Sequence, residues 1–196
     1  MKRACLVMTV MVMLLMPLAA QAGNLRLGAT VGADISQQGA DNAGTDYEGY
    51  GTSTGLFLSY DFVSFAGIEL DLRYNHLNSY ATFGGDDDWY MIHLWEAALG
   101  IPFIIGFTDG ISMRITPMLS AALIDIYNAK PAPSLGYGIN GFVRFQIDRH
   151  APDSVGIAGF FDVGYGGQWI DDGPARIETS GWRILLGVRV FYDFAL

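Results

Sequence analysis

The sequence predicts an all-β chain, an eight-stranded antiparallel up-and-down transmembrane β-barrel. Three observations predict it. Eight segments alternate apolar and polar residues at period two, their connections alternate long and short, and an apolar leader precedes them. The last segment shows the alternation most cleanly. Trp182, Ile184, Leu186, Val188, Val190, Tyr192, Phe194 and Leu196 share one face; Arg183, Leu185, Gly187, Arg189, Phe191 and Asp193 share the other. Successive side chains of a strand point to opposite sides of the sheet, so one side is apolar and the other carries charge and glycine. A side this rich in glycine and arginine makes a poor soluble surface. It suits the inside of a barrel whose outside meets lipid.

Residues 1–22 read as a secretion signal peptide and residues 23–196 as the barrel domain. Lys2 and Arg3 supply the positive start, Leu6 to Leu18 the apolar stretch, and Ala20-Gln21-Ala22 a small-residue cleavage site before Gly23. Cys5, the one cysteine, precedes the apolar stretch and so is not a lipid-anchored cysteine; the barrel domain has no disulfide and no thiolate metal site.

Composition narrows the function classes. The chain carries 11 Lys and Arg against 20 Asp and Glu, a formal net charge of −9, and the leader takes Lys2 and Arg3 with it. Such an acidic barrel lacks the clustered positive charge that nucleic acid requires. No run of 18 apolar residues follows the leader, which excludes spanning helices, yet 51% of the chain is hydrophobic. Spanning strands reconcile the two facts, because alternation dilutes their apolar residues.

Taken in order, the first strand covers about Leu25 to Ser36, with Leu25, Leu27, Ala29, Val31, Ala33 and Ile35 opposite Arg26, Gly28, Thr30, Gly32 and Asp34. A Gly-, Asp- and Asn-rich loop from Gln37 to Glu48 follows. The second strand, about Tyr50 to Phe62, sets Leu56, Leu58 and Tyr60 against Gly55, Phe57 and Ser59, and a tight turn near Val63 to Ala66 reverses the chain. In the third, Ile68, Leu70, Leu72 and Tyr74 oppose Glu69, Asp71, Arg73 and Asn75. Residues 76–88 read as a long loop with Gly84-Gly85 and the run Asp86-Asp87-Asp88.

The fourth strand, about Trp89 to Ile105, sets Trp95, Ala97, Leu99 and Ile101 against Glu96, Ala98 and Gly100, with a turn from Gly106 to Gly110. The fifth, about Ile111 to Asp125, contains Pro117, which removes a ladder donor and implies a bulge or a lost hydrogen bond. Tyr127 to Tyr137, with Pro131 and Pro133, is a third long loop. The sixth strand runs about Gly138 to Ile147 and turns over Asp148 to Ser154. The seventh, about Val155 to Tyr165, sets Val155, Ile157, Phe161 and Val163 against Ala158, Asp162 and Gly164; a loop from Gly166 to Ser180 leads into the last strand. Long loops at one end and short turns with both termini at the other match short periplasmic turns and longer outer loops.

Aromatic placement supplies a separate cue. Tyr60, Phe62, Phe103, Phe107, Tyr192 and Phe194 fall beside the short turns; Tyr50, Trp89, Tyr127, Trp169 and Trp182 fall at the opposite strand ends. Two aromatic girdles at two interfaces are expected of a spanning barrel, whereas a soluble barrel would hold its aromatics mid-strand.

Over its whole barrel domain the chain resembles the small outer-membrane barrels of the OmpA-transmembrane-like and OmpW-like group. The stretches that carry the resemblance are Gly67-Ile68-Glu69-Leu70-Asp71-Leu72-Arg73-Tyr74, Pro117-Met118-Leu119-Ser120-Ala121-Ala122 and Val188-Arg189-Val190-Phe191-Tyr192-Asp193-Phe194. The group commonly ends on an aromatic residue, whereas here Ala195-Leu196 follow Phe194. Leu196 keeps the outward phase. These motifs place the chain in a superfamily and in no functional branch of it.

The inward faces carry Arg26, Arg73, Arg114, Arg144, Arg183 and Arg189 against Glu69, Asp71, Glu96 and Asp162, with Asp34 and Asp61 nearer the rims. Eight strands enclose only enough room for their own side chains. Charges confined there must pair, because a lone buried charge is costly. With Phe57, Phe142 and Phe160 also inward, the expected lumen is a plug held by an ion-pair network. The competing reading is a gated channel in which a pair such as Glu69–Arg189 changes partners.

An enzymatic reading must begin from His76, His93 and His150, the only histidines. His76 with Ser79 and Asp71 is the best nucleophile–base–acid set by spacing. The His-x-Ser-Asn order of the lipid A deacylases is absent, since the chain reads His76-Leu77-Asn78-Ser79. His93 shares the lipid side with Met91 and Trp95, and His150 lies in a turn. No catalytic residue is assigned.

Asp86-Asp87-Asp88, Asp171-Asp172 and Glu178 make the outer loops acidic without the spacing of a calcium loop, so solvated charge and no metal are expected. No phosphate-cradling glycine motif stands at a strand–helix junction, so no nucleotide or other cofactor is expected. The sequence thus points to a non-enzymatic integral outer-membrane barrel with a structural or surface-interaction role. OmpW-like passage of small molecules, hydrophobic ones included, is the alternative, and a lipid-modifying envelope enzyme ranks third. The expected partners are outer-membrane lipid, lipopolysaccharide-like lipids and the outer-membrane assembly machinery. The barrel is expected to be a monomer, and its loops carry no motif that names a ligand.

Overall fold

A computed structural model describes residues 23–40, 46–83, 86–127, 134–172 and 175–196. Its strands are β1 (Asn24–Ala40), β2 (Asp46–Val63), β3 (Ala66–Phe83), β4 (Asp86–Gly100), β5 (Phe103–Thr108), β6 (Ile111–Tyr127), β7 (Ser134–Arg149), β8 (Ser154–Asp172) and β9 (Ala175–Ala195). Each pairs antiparallel with its neighbour, and β9 returns to pair with β1 from Asn24↔Ala195 to Ala40↔Thr179. The sheet is therefore closed, and the Leu196 N–H donates to the Gly23 carbonyl at 2.9 Å beside the seam. Closure leaves no unpaired edge, which a spanning sheet requires.

β4 and β5 are one crossing. Gly100 pairs with Met118 and Phe103 with Ile115, so the register resumes without slip after Ile101-Pro102. Pro102 has no N–H to give to the ladder, and the strand lapses there. The proline anticipated as the disturbance, Pro117, lies within β6 directly across this gap, and its carbonyl accepts the Ile101 N–H at 3.2 Å. The eight crossings predicted from alternation are thus all present, one of them in two pieces.

The outer connections are much shorter than the sequence predicts. β3 runs on to Phe83, β8 to Asp172, and β9 already begins at Ala175. What remains are residues 41–45, 84–85, 128–133 and 173–174, which lie outside the described residues, as does the expected leader at 1–22. The polar and glycine-rich composition that resembles a loop equally suits a strand continuing beyond lipid into water, where polar residues on both faces cost nothing. At the opposite end Gly106 belongs to β5, and the turn there is Asp109-Gly110, with Gly110 at φ 82°. β7 likewise extends to Arg149, leaving Pro152-Asp153 as the turn.

The outward face is apolar along every crossing. Leu119, Leu123 and Val155 are each more than 60% exposed, a surface that water would solvate poorly and lipid well. Tyr50, Trp89, Tyr127 and Trp182 are exposed at one end, and Phe103, Phe107, Tyr192 and Phe194 at the other. Tyr60 departs from its expected girdle position. It is buried where β2 bulges between Tyr60 and Val63.

Candidate functional site in the barrel lumen

The inward phase of the strands delivers charge from both sides of the bore, and the charges meet in three linked groups. Nearest the short turns, Arg26 from β1 and Arg114 from β6 share Asp148 of β7. Arg114 also holds Asp61 and donates to Ser59 Oγ at 3.2 Å. Arg26 reaches Asp193 Oδ2 at 3.1 Å and lies 2.9 Å from His150 Nε2. A guanidinium can only donate, so Nε2 accepts, and Nδ1 of the same ring lies 2.8 Å from Asp193. Gln146 then donates to Asp148 at 2.6 Å while its carbonyl accepts from Arg189 at 3.0 Å, joining this group to the next.

In the middle, Glu69 Oε1 lies 2.8 Å from Nη1 of both Arg144 and Arg189. Asp71 Oδ2 lies 2.8 Å from Arg144 and 2.7 Å from Arg189. Arg144 completes its fork with two bonds of 2.7 Å to Asp162. Asp162 in turn binds Arg73 at 2.9 Å, and Arg73 reaches Glu96 at 3.2 Å. Glu96 accepts from Arg183 at 2.9 Å and from Ser120 at 2.6 Å, and Arg183 closes on Asp34 with a two-pronged contact. An unbroken path of charge-assisted bonds therefore runs from Asp193 to Asp34. Planar guanidinium forks suit such a path because each can hold several carboxylates at fixed angles.

Rings fill what the charges leave. The guanidinium of Arg189 lies 4.0 Å from the centre of Phe57, that of Arg144 4.8 Å from Phe160, and that of Arg73 4.7 Å from Phe142. Inward glycines admit these rings: a Cβ on Gly187 would come within 2.6 Å of Phe160, and one on Gly164 within 2.5 Å of Phe142. Arg144 and Arg189 are both fully shielded from solvent. Between Arg73, Glu96, Phe142, Asp162 and Arg183 a cavity of about 20 Å³ remains, room for about one water molecule.

Sequence reasoning missed two parts of this interior. Asp148, assigned to a turn, is fully buried and serves two arginines. The alternation Arg144, Gln146, Asp148 carries the inward phase straight to it. Beyond Asp34 and Glu96, toward the outer end, Leu77, Ile92, Leu94, Ala122, Ile124, Ile126 and Ile170 form an apolar interior cluster. Leu77 falls in the stretch read as loop.

The possible catalytic set does not assemble. Asp71 is committed to Arg144 and Arg189, and Ser79 is buried with its hydroxyl donating to the Glu48 carbonyl at 3.2 Å. His76 stands on the opposite, outward phase of β3, its ring 4.9 Å from that of His93. His93 accepts from or donates to the Tyr74 hydroxyl and packs 4.9 Å from Tyr127, on the side that holds Trp95.

No family model matches the chain, and no curated protein matches it. Among solved structures, the outer membrane protein OprG from Pseudomonas aeruginosa is similar with a TM-score of 0.55 at 16% identity, covering 90% of this chain and 98% of that one. Neisserial surface protein A is similar with a TM-score of 0.51 at 14% identity, covering 85% and 96%. At these identities the likeness is one of fold. The chain shares the closed eight-crossing fold of these small outer-membrane barrels.

Proposed function

We propose that the chain is a non-enzymatic outer-membrane barrel with a filled bore, serving as an envelope structural element or as a platform for surface contact. The observation that carries this reading is the middle group, where Arg144 of β7 and Arg189 of β9 reach across the bore to share Glu69 and Asp71 of β3 without solvent access. A pore for ions needs a hydrated path through that level. The separation of His76 from Ser79 and Asp71 supports the non-enzymatic side of the proposal. In this reading the barrel works as a monomer surrounded by outer-membrane lipid, reached through the assembly machinery after removal of its leader. Reconstitution into planar bilayers tests it: no stable current steps are expected, and large persistent steps overturn it. Outer-membrane fractionation with heat-modifiable gel migration tests location, and recovery as a soluble protein overturns that part.

One observation favours a second reading, passage of small hydrophobic molecules. The interior of the outer end carries an apolar cluster, from Leu77 and Leu94 to Ile124 and Ile170, which accepts hydrocarbon more readily than ions. Uptake of a labelled hydrophobic solute into vesicles, compared with empty vesicles, separates this reading from the first.

A further inference from the structure

We propose that the outward face between β6, β7, β8 and β9 holds one anionic diacyl glycerophospholipid, its phosphate on Arg149 and an acyl chain along the groove over Gly159. This proposal rests on the membrane reading above and adds a defined lipid site to it.

A groove of about 320 Å³ lies on this face, walled by Ile111, Ile147, Ile157 and Val188, with Gly159 as its floor. The register explains the groove. Ile147, Gly159 and Val188 stand directly side by side on three adjacent strands, so a residue without a side chain sits between two branched ones. A Cβ built on Gly159 meets nothing within 4 Å. The inward Gly156 and Gly187 make way for the rings of Phe191 and Phe160, whereas this outward glycine leaves open space that only lipid would fill.

Arg149 lies at the short-turn end of the groove, between Ile111 and Ile157 in register. Every arginine of the lumen is tied to carboxylates, but Arg149 is exposed and, among the described residues, has no carboxylate within ion-pairing distance. The acids nearest along the chain are unavailable or apart: Asp148 points inward to Arg26 and Arg114, Asp153 accepts from Ala195 N–H, and exposed Asp109 forms no ion pair. Arg176 starts β9 at the other end of the barrel, and Lys130 lies outside the described residues. A lone guanidinium at the headgroup level of the inner leaflet is a phosphate ligand by charge and by fork geometry. Its stem can lie along apolar neighbours while the charge reaches the interface. Headgroup and chain are thus addressed by two features in line, which selects a phospholipid over a free anion or a detergent.

Delipidated full-length barrel in detergent, titrated with phosphatidylglycerol or phosphatidylethanolamine of identical acyl chains, tests the site by native mass spectrometry. One phosphatidylglycerol is expected to be retained, in preference to phosphatidylethanolamine by about fivefold, the size expected of a single basic residue at a lipid surface. Arg149→Gln should erase the preference and Arg149→Lys should keep most of it. Gly159→Leu, which the open space tolerates, should lower retention of both lipids while heat-modifiable migration stays normal. Equal retention of the two lipids by the wild type, or variants that retain lipid as the wild type does, overturns the site. Recovery of the wild type as a detergent-independent soluble protein would instead overturn the membrane reading on which it stands.

Discussion

Glu69 and Arg189 meet at 2.8 Å although their strands, β3 and β9, do not pair, so the contact is made across the bore. Glu69 is simultaneously 2.8 Å from Arg144. Replacing it with alanine leaves Arg189 with Asp71 as its one carboxylate, shared with Arg144, which keeps Asp162, a loss of about 3–5 kcal/mol for a broken buried pair. Glu69→Ala should lower the unfolding midpoint in a denaturant titration without producing current in bilayers, since Phe57, Phe160 and the arginines still occupy the bore. A conducting variant with unchanged stability would point to a gate.

The lipid face offers a contrast within one dipeptide. Val188 is 42% exposed on the outward side, whereas Gly187 faces inward where a Cβ would meet the Val31 carbonyl at 2.4 Å. Val188→Arg should cost about 2–4 kcal/mol near mid-bilayer, measured by folding into vesicles. Gly187→Arg should fail for steric reasons and fail equally in detergent, where lipid depth has no meaning. Leu70→Arg and Leu99→Arg should behave like Val188→Arg; tolerance at all three would refute the strand phase.

Topology puts the turns 64–65, 109–110 and 152–153 at one end with both strand termini. Epitope tags inserted at 84–85 or 173–174 should be reached by antibody on intact cells, and a tag at 109–110 should be reached only after permeabilisation. The opposite pattern would invert the barrel.

Asp153 occupies the left-handed region at φ 50°, accepts the Ala195 N–H at 3.1 Å on its carboxylate and the Tyr192 hydroxyl at 2.8 Å on its carbonyl. Asparagine tolerates that backbone and keeps an acceptor; alanine does neither. Asp153→Asn should be near neutral, and Asp153→Ala should cost roughly 1–2 kcal/mol from the left-handed conformation alone. Melting or denaturant midpoints of the two variants check the difference.

The crossings were legible wherever one face of a strand was apolar and the other was not, as from Glu69 to Asn75 and from Arg183 to Asp193. Periodicity fails where both faces are apolar. Met91 to Trp95 and Leu123 to Ile126 are apolar on both faces but for His93 and Asp125, which stand on the outward phase, and so the apolar interior around Leu94 and Ile124 could not be separated from the lipid side. Periodicity also fails where both faces are polar, which is why the outer extensions of β3 and β8 resembled loops. The ion pairs posed a different problem. Phase says that Arg114 points inward but not that its carboxylates come from β2 and β7, because that depends on stagger around the barrel. His150 escaped for a related reason: it lies just beyond β7, where no alternation indicates that its ring turns back over Arg26.

The unbroken path of charged bonds from Asp193 to Asp34 also constrains the order of events during insertion. Glu69 and Asp71 arrive on an early hairpin, whereas Arg189 arrives on the strand that closes the ring. Until β9 docks on β1, those carboxylates cannot be fully neutralised, and leaving them so in hydrocarbon is prohibitive. Water must therefore accompany the half-built bore and leave only at closure. Membrane entry and ring closure are thereby coupled, with dehydration of the lumen completed only when β9 docks.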